Sequence, residues 1–282
     1  MLNKWNEHIY YLSHDEKQER PVLGLVCGEK YSLIIDGGNS PQHAQEFLRE
    51  IEKLSIPPIR YLVITHAHWD HFLGANEYDA TIIMNRRTHQ KWKKWQLDSL
   101  TDASLQQLVD QQLINEYAMK AIQENLINDP LFQLRDPDII FDETLKIDLG
   151  HKICQIDTVS STHTNDSTIV YLEDDELIFL GDCAYGKTRN SLFHYEQQML
   201  NPMIEDIQKY QAKYFLLGHE SICDLAEMDL YWKELQIANK AVKSTSLEEA
   251  MIHFEKEFKR KANENETFFI QAFVNDQILK QH

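Results

Sequence analysis

The chain has 282 residues, 43% of them hydrophobic, and a formal net charge of −17. This composition is that of a globular protein with enough apolar residues for one large core or two modest ones. The acidic charge argues against a general nucleic-acid-binding surface, because phosphate contacts need clustered Lys and Arg. No apolar run approaches the roughly 20 residues of a bilayer-spanning helix, and the N-terminus does not resemble a signal peptide. We therefore expect a cytoplasmic protein without membrane attachment.

Two hairpin-like segments resemble one another along the chain. The first runs from Pro21 to Gly38 and the second from Ser167 to Cys183, and each has two apolar strands, a short charged turn and an Asp-Gly or Gly-Asp corner. Each is followed by a helical stretch and later by an apolar strand that leads to a histidine, His66 in YLVITH and His219 in YFLLGH. This pattern predicts an internal duplication of a β-rich unit, with two sheets packed between helices.

The remaining segments predict one domain over residues 1–282. Residues 86–128 have apolar positions at helical spacing and predict a helical insert between the two halves. Residues 139–163 predict strands, and the chain after about residue 225 predicts a helical C-terminal extension. The four cysteines are widely spaced without a C-x-x-C pair, which favours free thiols in a reducing compartment.

The segment Ile64–Asn76, ITHAHWDHFLGAN, places three histidines and an aspartate directly after a predicted buried strand. Residues i and i+2 of an extended chain point to the same side, so His66 and His68 can reach one ion. Asp70 and His71 follow a bend and are available for a second ion nearby. This spacing predicts metal binding rather than a polar loop with incidental histidines.

Further donors lie at the ends of other predicted apolar strands. They are His163 after ICQIDTVSST, Asp182 after ELIFLG and His219 after YFLLG. Zinc typically takes four N, O or S ligands, so the first loop alone cannot complete a site. One histidine at a strand end is more often an ordinary edge residue, but together these three complete the ligand count for two ions.

The order H-x-H-x-D-H, H, G-D and G-H, with Asp36 at the first Asp-Gly-Gly corner, resembles the metallo-β-lactamase superfamily over about residues 20–85 and 139–221. The resemblance implies an α/β (α+β) fold, an αββα sandwich with a dinuclear metal site at one edge. It implies that Asp182 bridges both ions and that Asp36 holds the metal-binding loop from outside the site. It assigns the other ligands to a first ion (His66, His68 and His163) and to a second (Asp70, His71 and His219).

The resemblance further implies a metal-dependent hydrolase. We expect two zinc ions, and the ligand types are also compatible with manganese or iron. Two ions about 3.5–4 Å apart activate a bridging hydroxide and stabilise a developing oxyanion. The site would carry a charge of about +1 and attract an anionic small-molecule substrate, with an ester, lactone, thioester or related group as the target. Asp70 would relay a proton to the leaving group, and Tyr185 would contact the substrate carbonyl oxygen, as a tyrosine does in lactonases of the superfamily.

Other functions remain open at this point. The segment HTNDSTIVYL resembles part of the zinc β-lactamases, although His71 and Asp182 differ from what those enzymes commonly carry. The basic, aromatic segment Arg86–Gln96 could form a lid that grips an anionic or nucleotide substrate, with Trp92 or Trp95 stacking on it. Its basic part, Arg86–Lys94, motivates a phosphodiesterase or nuclease as the second hypothesis. We favour instead a helix with a solvated basic face and buried tryptophans. A non-enzymatic metal-binding, sensing or interaction module is the third hypothesis, and the helical tail leaves a homodimer open.

Four more side chains carry predictions. Cys183 should point away from the site if Asp182 points into it, and would then be a structural thiol or one that contacts the ligands from outside the site. Trp69 lies inside the metal loop, where it could line the substrate pocket. His43 and His253 have no partners at ligand spacing, so we expect them on the surface.

Overall fold

A computed structural model describes residues 1–95, 100–111, 113–126 and 134–281 of the chain. The first sheet has seven strands that neighbour one another in chain order. They are β1 (Leu2–Lys4), β2 (Ile9–Leu12), β3 (Leu23–Cys27), β4 (Ser32–Ile35), β5 (Ile59–Val63), β6 (Thr81–Asn85) and β7 (Ile139–Phe141). Strands β1 to β4 pair in antiparallel fashion and β4 to β7 in parallel.

The helices of the first half of the chain lie in the connections between β4 and β7. They are α1 (Pro41–Ile51), α2 (Trp69–Phe72), α3 (Arg86–Trp92), α4 (Asp102–Asp110) and α5 (Glu116–Leu126). Helices α3 to α5 lie within the predicted insert. Residues 96–99, 112 and 127–128 of that insert lie outside the described residues, as does Gln96 at the end of the basic segment.

The second sheet has six strands. In chain order they are β8 (Thr144–Asp148), β9 (Ile153–Thr158), β10 (Thr168–Leu172), β11 (Leu177–Gly181), β14 (Tyr214–Leu217) and β15 (Cys223–Asp224), and their order in the sheet is β15-β14-β11-β10-β9-β8. Strands β12 (Lys187–Arg189) and β13 (Leu192–His194) form a separate hairpin. The helices that follow are α6 (Leu200–Gln208), α7 (Leu225–Ala241), α8 (Leu247–Phe258) and α9 (Glu264–Leu279).

Alternation along the strands places the apolar side chains in three layers. Leu33 and Val63 pack between the two sheets, whereas their chain neighbours Ile34 and Leu62 pack against the helices of the first half. This is the period of two expected of a strand buried on both faces. A third cluster, which includes Ile178 and Phe273, joins the second sheet to the C-terminal helices. The predicted αββα sandwich is therefore confirmed.

The two halves repeat one topology. Strands β3 and β4 form an antiparallel hairpin, and β5 then adds in parallel to β4. Strands β10 and β11 form the matching hairpin, and β14 adds in parallel to β11. The duplicated unit predicted from the sequence is thus present, with one copy in each sheet.

The sequence predicted that His43 and His253 lie on the surface and that the cysteines are free. The prediction that His43 lies on the surface is wrong: its side chain is buried with Phe47 on the inward face of α1, and Nδ1 accepts a hydrogen bond from Asn39 N at 3.4 Å. His253 is partly exposed on α8. The four cysteines are free, as predicted.

The helical C-terminal extension predicted after about residue 225 corresponds to helices α7 to α9. His282 lies outside the described residues. The assignment of the whole chain to one domain stays a prediction. Among the helices of the described ranges, none combines the length and the apolar character needed to cross a membrane.

Candidate metal centre

The predicted ligands follow the carboxyl ends of strands from both sheets, in loops or, for Asp70 and His71, in the short helix α2. Strand β5 of the first sheet ends at Val63, before the loop with His66 and His68 and the short helix α2. In the second sheet, Asp182 follows β11 and His219 follows β14. The site therefore lies at the carboxyl ends of inner strands of both sheets.

The sequence placed His163 at the end of a strand, and this detail is wrong. Strand β9 ends at Thr158, which pairs with Thr168 of β10, so His163 lies within the loop that joins β9 to β10. The loop turns back there because Ser161 Oγ accepts hydrogen bonds from the backbone N–H groups of His163 and Thr164. This turn brings His163 to the other ligands.

The first ligand group consists of His66, His68, His163 and Asp182, whose potential ligand atoms all lie within 4.8 Å of one another. His163 Nε2 is 2.8 Å from His68 Nδ1 and 3.5 Å from Asp182 Oδ2. His66 Nε2 is 3.8 Å from the same carboxylate oxygen. Adjacent ligands of a tetrahedral zinc ion lie about 3.3 Å apart, given metal–ligand bonds of about 2.0–2.1 Å. These separations match that spacing within about 0.5 Å.

The second ligand group consists of Asp70, His71, Asp182 and His219, and it meets the same 4.8 Å criterion. His71 Nε2 is 3.3 Å from Asp70 Oδ2 and 3.4 Å from Asp182 Oδ1. His219 Nε2 is 3.1 Å from Asp70 Oδ2 and 3.5 Å from Asp182 Oδ2. The carboxylate of Asp182 therefore faces both groups.

Unpartnered atoms support a cation at this position. His66 Nε2, His71 Nε2 and Asp182 Oδ1 are buried without a hydrogen-bond partner. A buried polar atom without a partner costs free energy unless another group satisfies it. Divalent ions bound by nitrogen and carboxylate donors would satisfy all three atoms, so the residues present fit the metals that the resemblance implies. Their role as ligands stays a prediction.

Neighbouring groups orient the imidazoles. His163 Nδ1 is 2.6 Å from Gly186 O, and His66 Nδ1 is 3.1 Å from Thr65 Oγ1. These contacts turn Nε2 of each ring towards the site, as outer partners of metal-binding histidines do. The roles of Thr65 and the Gly186 carbonyl were not predicted from the sequence. The position of Thr65 directly before His66 could have indicated its role, whereas no residue type in the sequence marks the contact of a backbone carbonyl.

Charge differs between the two groups. Burial lowers the pKa of His66, His68 and His163, so these rings are neutral and their lone pairs can bind a metal. Burial would also lower the pKa of His71 and His219, but Asp182 and Asp70 raise both, that of His219 to about 10. The carboxylates of the second group thus attract positive charge, which protons or a divalent ion can supply.

Burial by itself would raise the pKa of Asp70 and of Asp182. His71 and His219 outweigh it and hold the pKa of both carboxyls well below the usual range. Both carboxylates are therefore ionised at neutral pH, the form in which a carboxylate binds a metal.

Tyr185 lies beside the second ligand group. Its hydroxyl oxygen accepts a hydrogen bond from the backbone N–H of His219 at 3.2 Å. Burial and the nearby Asp182 raise the pKa of Tyr185 well above its usual value, so the phenol keeps its proton. It can donate that proton in a hydrogen bond to a bound molecule.

Gly218 leaves room for the shared carboxylate. A Cβ atom at this position would lie 2.0 Å from Asp182 Oδ1 and 3.1 Å from His71 Cε1. Cys183, next to Asp182, is buried in the apolar cluster under the C-terminal helices and belongs to neither ligand group. This placement agrees with a structural thiol.

The aromatic residues around the metal loop belong to the core. Trp92 and Trp95 are buried and pack against Phe72, and their ring centroids lie 4.8 and 5.2 Å, respectively, from that of Phe72. Trp69 is also buried and joins the same apolar cluster. Arg86 of the basic segment pairs with Asp142 on the surface.

A cavity of about 430 Å³ adjoins the loop that carries His219. Its lining includes Leu217 and Glu220, on either side of that loop's histidine, and the apolar side chains Ile222 and Met228. Its volume falls in the range of about 300–1,000 Å³ that is usual for small-molecule pockets.

Comparison with known proteins agrees with this architecture. The sequence profile described as the metallo-beta-lactamase superfamily matches residues 22–219. No curated protein matches the chain.

Several solved structures are similar. The metallo-beta-lactamase from Pontibacter korlensis aligns with a TM-score of 0.57 and 16% identity, over 84% of this chain and 98% of that one. The DIM-1 metallo-beta-lactamase aligns with a TM-score of 0.56 and 15% identity, over 83% and 95%.

The stereoselective inverting sec-alkylsulfatase Pisa1 from Pseudomonas sp. aligns with a TM-score of 0.58 and 13% identity. This alignment covers 98% of the chain but 50% of Pisa1, so the chain spans about half the length of that enzyme. At these identities the structural similarity shows the fold alone. The profile, in contrast, matches well over half of the sequence, and the chain belongs to the metallo-beta-lactamase superfamily.

Proposed function

We propose that the protein is a dinuclear zinc-dependent hydrolase that acts on a small ester, lactone, thioester or related substrate. The observation that carries the proposal is the pair of ligand groups that share Asp182. Zinc ions bound there would supply an activated water at neutral pH and would stabilise negative charge on the substrate oxygen. The first ligand group would hold one ion and the second the other, with Asp182 common to both.

Two side chains have proposed roles besides metal binding. Tyr185 is a protonated phenol beside His219, so it can donate a hydrogen bond to the substrate carbonyl oxygen. Asp70 is the more exposed of the two carboxylates, 11% against 6% for Asp182. We assign to it a proton relay, in which the ionised carboxylate would accept the proton released by the attacking water and pass it to the leaving group.

A small substrate is favoured over a nucleic acid. The nuclease alternative was motivated by the basic segment Arg86–Lys94, and its tryptophans are not available to stack on a base, because Trp92 and Trp95 are buried against Phe72. We also propose a cytoplasmic location, because free thiols persist in a reducing compartment.

Turnover on a substrate panel tests this function. The zinc-loaded protein is assayed on activated esters, lactones and thioesters, and in parallel on bis-p-nitrophenyl phosphate, single-stranded RNA, a β-lactam and a sec-alkyl sulfate. We expect turnover of a carbonyl substrate that EDTA abolishes and zinc restores. Asp182→Ala should lower kcat/KM about 100-fold or more, because it removes the ligand common to both groups. Asp229→Ala on the exposed face of α7 is the control.

The other outcomes contradict the proposal. Turnover of only the phosphodiester or RNA would identify a phosphodiesterase, and hydrolysis of only the β-lactam would identify a β-lactamase. Stable zinc binding without turnover of any substrate would favour a non-enzymatic module.

A further inference from the structure

We propose that Lys91 and Asp166 are positioning residues that hold the two loops of the first ligand group together. The proposal rests on the proposed function, because it requires this group to bind a metal. Neither residue belongs to a ligand group. Both act through the loops that carry His66, His68 and His163.

Asp166 joins the two loops directly. It lies three residues after His163, and its Oδ2 accepts a hydrogen bond from the backbone N–H of Ala67 at 2.9 Å. Ala67 is the residue between His66 and His68. One buried carboxylate therefore sets the distance between His163 and the other two histidines of the group.

Helix α3 holds Asp166 in place from the other side. Asn85 Nδ2 and Thr88 Oγ1 donate hydrogen bonds to the backbone carbonyl of Asp166 at 2.7 and 3.2 Å. Thr168 N donates to Thr65 O at 2.8 Å, so the loop backbones also touch. The basic segment Arg86–Gln96 thus contacts the loop that carries His163 through the backbone carbonyl of Asp166.

Lys91 supplies the charge that balances Asp166. Its Nζ is 2.5 Å from Asp166 Oδ1 and also donates to Thr164 Oγ1. The Asp166 side chain is 0% exposed, whereas that of Lys91 is 31% exposed. A buried carboxylate without a partner is strongly destabilising, and an ionised one makes the stronger hydrogen bond to an N–H group. Lys91 therefore keeps Asp166 in the form that holds Ala67.

Loss of this ion pair should loosen the first ligand group. Without Lys91, Asp166 can lower its free energy by taking up a proton or by turning towards water, and both changes weaken its bond to Ala67. The position of His68 relative to His163, 2.8 Å between ring nitrogens, would then be held less tightly. Partners outside the ligand shell typically change metal affinity by about 10- to 100-fold.

Cobalt(II) titration tests the proposal, with ligand-field absorbance as the readout and no substrate present. The variants are Lys91→Met, which removes the positive charge at similar size, Asp166→Asn, which removes the negative charge and leaves only a weaker neutral acceptor for Ala67, and Lys91→Arg, which keeps the positive charge. Lys94→Met is the matched control, because Lys94 is an exposed lysine just beyond the same helix. Circular dichroism of each metal-free protein establishes the folded fraction before titration.

We expect Lys91→Met and Asp166→Asn to raise the Kd of at least one cobalt-binding step by about 10- to 100-fold. Lys91→Arg should recover most of the affinity, and Lys94→Met should match the wild type. Wild-type Kd values in folded Lys91→Met and Asp166→Asn would overturn the proposal, as would an equal loss in Lys94→Met. If the wild-type protein binds no cobalt, the proposed function fails first.

Discussion

His71 donates a hydrogen bond from Nδ1 to Asp36 Oδ2 at 2.7 Å, and both side chains are buried. The same carboxylate accepts hydrogen bonds from Thr65 N at 2.8 Å and Thr65 Oγ1 at 2.9 Å. Asp36 thereby fixes both the start of the metal loop and the ring of His71, a predicted ligand, at its end. The resemblance to the superfamily implied this role for Asp36, and the contacts supply its physical basis.

Asp36→Asn should weaken zinc binding without disturbing the backbone. Asp36 has a φ of 64°, in the left-handed region that asparagine also tolerates. The neutral amide has one acceptor oxygen in place of two, so it cannot keep all three hydrogen bonds. We expect the zinc Kd to rise by about 10- to 100-fold, measured by competition with a chromophoric chelator. Asp229→Asn is the control, and an unchanged Kd in Asp36→Asn would refute this role.

Gly218→Ala should displace the shared carboxylate. The added Cβ would lie 2.0 Å from Asp182 Oδ1, far inside van der Waals contact, so the Asp182 side chain or the strand end must move. We expect the zinc content after desalting to fall by at least one ion per chain relative to the wild type, measured by elemental analysis. Ser221→Ala, an exposed change just after His219, should keep the wild-type content. Full zinc content in Gly218→Ala would show that the site tolerates the shift.

Tyr185→Phe should separate substrate contact from metal binding. The variant loses the hydroxyl that faces His219 and that we assign to the substrate oxygen. Loss of a donor to a developing oxyanion typically lowers kcat by about 100- to 1,000-fold, and we expect an effect near the lower limit. The zinc Kd should rise by no more than about tenfold, since one neutral hydrogen bond is lost. Tyr195→Phe, whose hydroxyl pairs with Tyr231, is the control. Wild-type kcat in Tyr185→Phe would exclude the assigned role.

Local sequence patterns predicted much of this molecule. Alternating apolar strands and charged turns indicate both hairpins, and the i, i+2 spacing of His66 and His68 indicates two side chains on one side of the chain. These features depend on near neighbours, so a single sequence carries them. The placement of His163 in a loop rather than at a strand end was missed, because the turn depends on Ser161 and the pairing of β9 with β10.

Long-range contacts were beyond prediction from the sequence. Lys91 and Asp166 are 75 residues apart, and their pairing requires α3 to dock on a loop of the second half. Nothing in the basic segment distinguishes Lys91 from the exposed Lys94. His43 was misplaced for a related reason, since a histidine on the inward face of an amphipathic helix looks like any polar residue until the helix is packed.

The most direct test of two metal sites sharing Asp182 is a crystal structure of the zinc-loaded protein with anomalous diffraction data at the zinc edge. We predict two peaks about 3.5–4 Å apart, one in each ligand group, both with Asp182 oxygens at about 2.0–2.2 Å. A single peak, or two peaks of which one lacks Asp182, would contradict the dinuclear centre on which the proposed function depends.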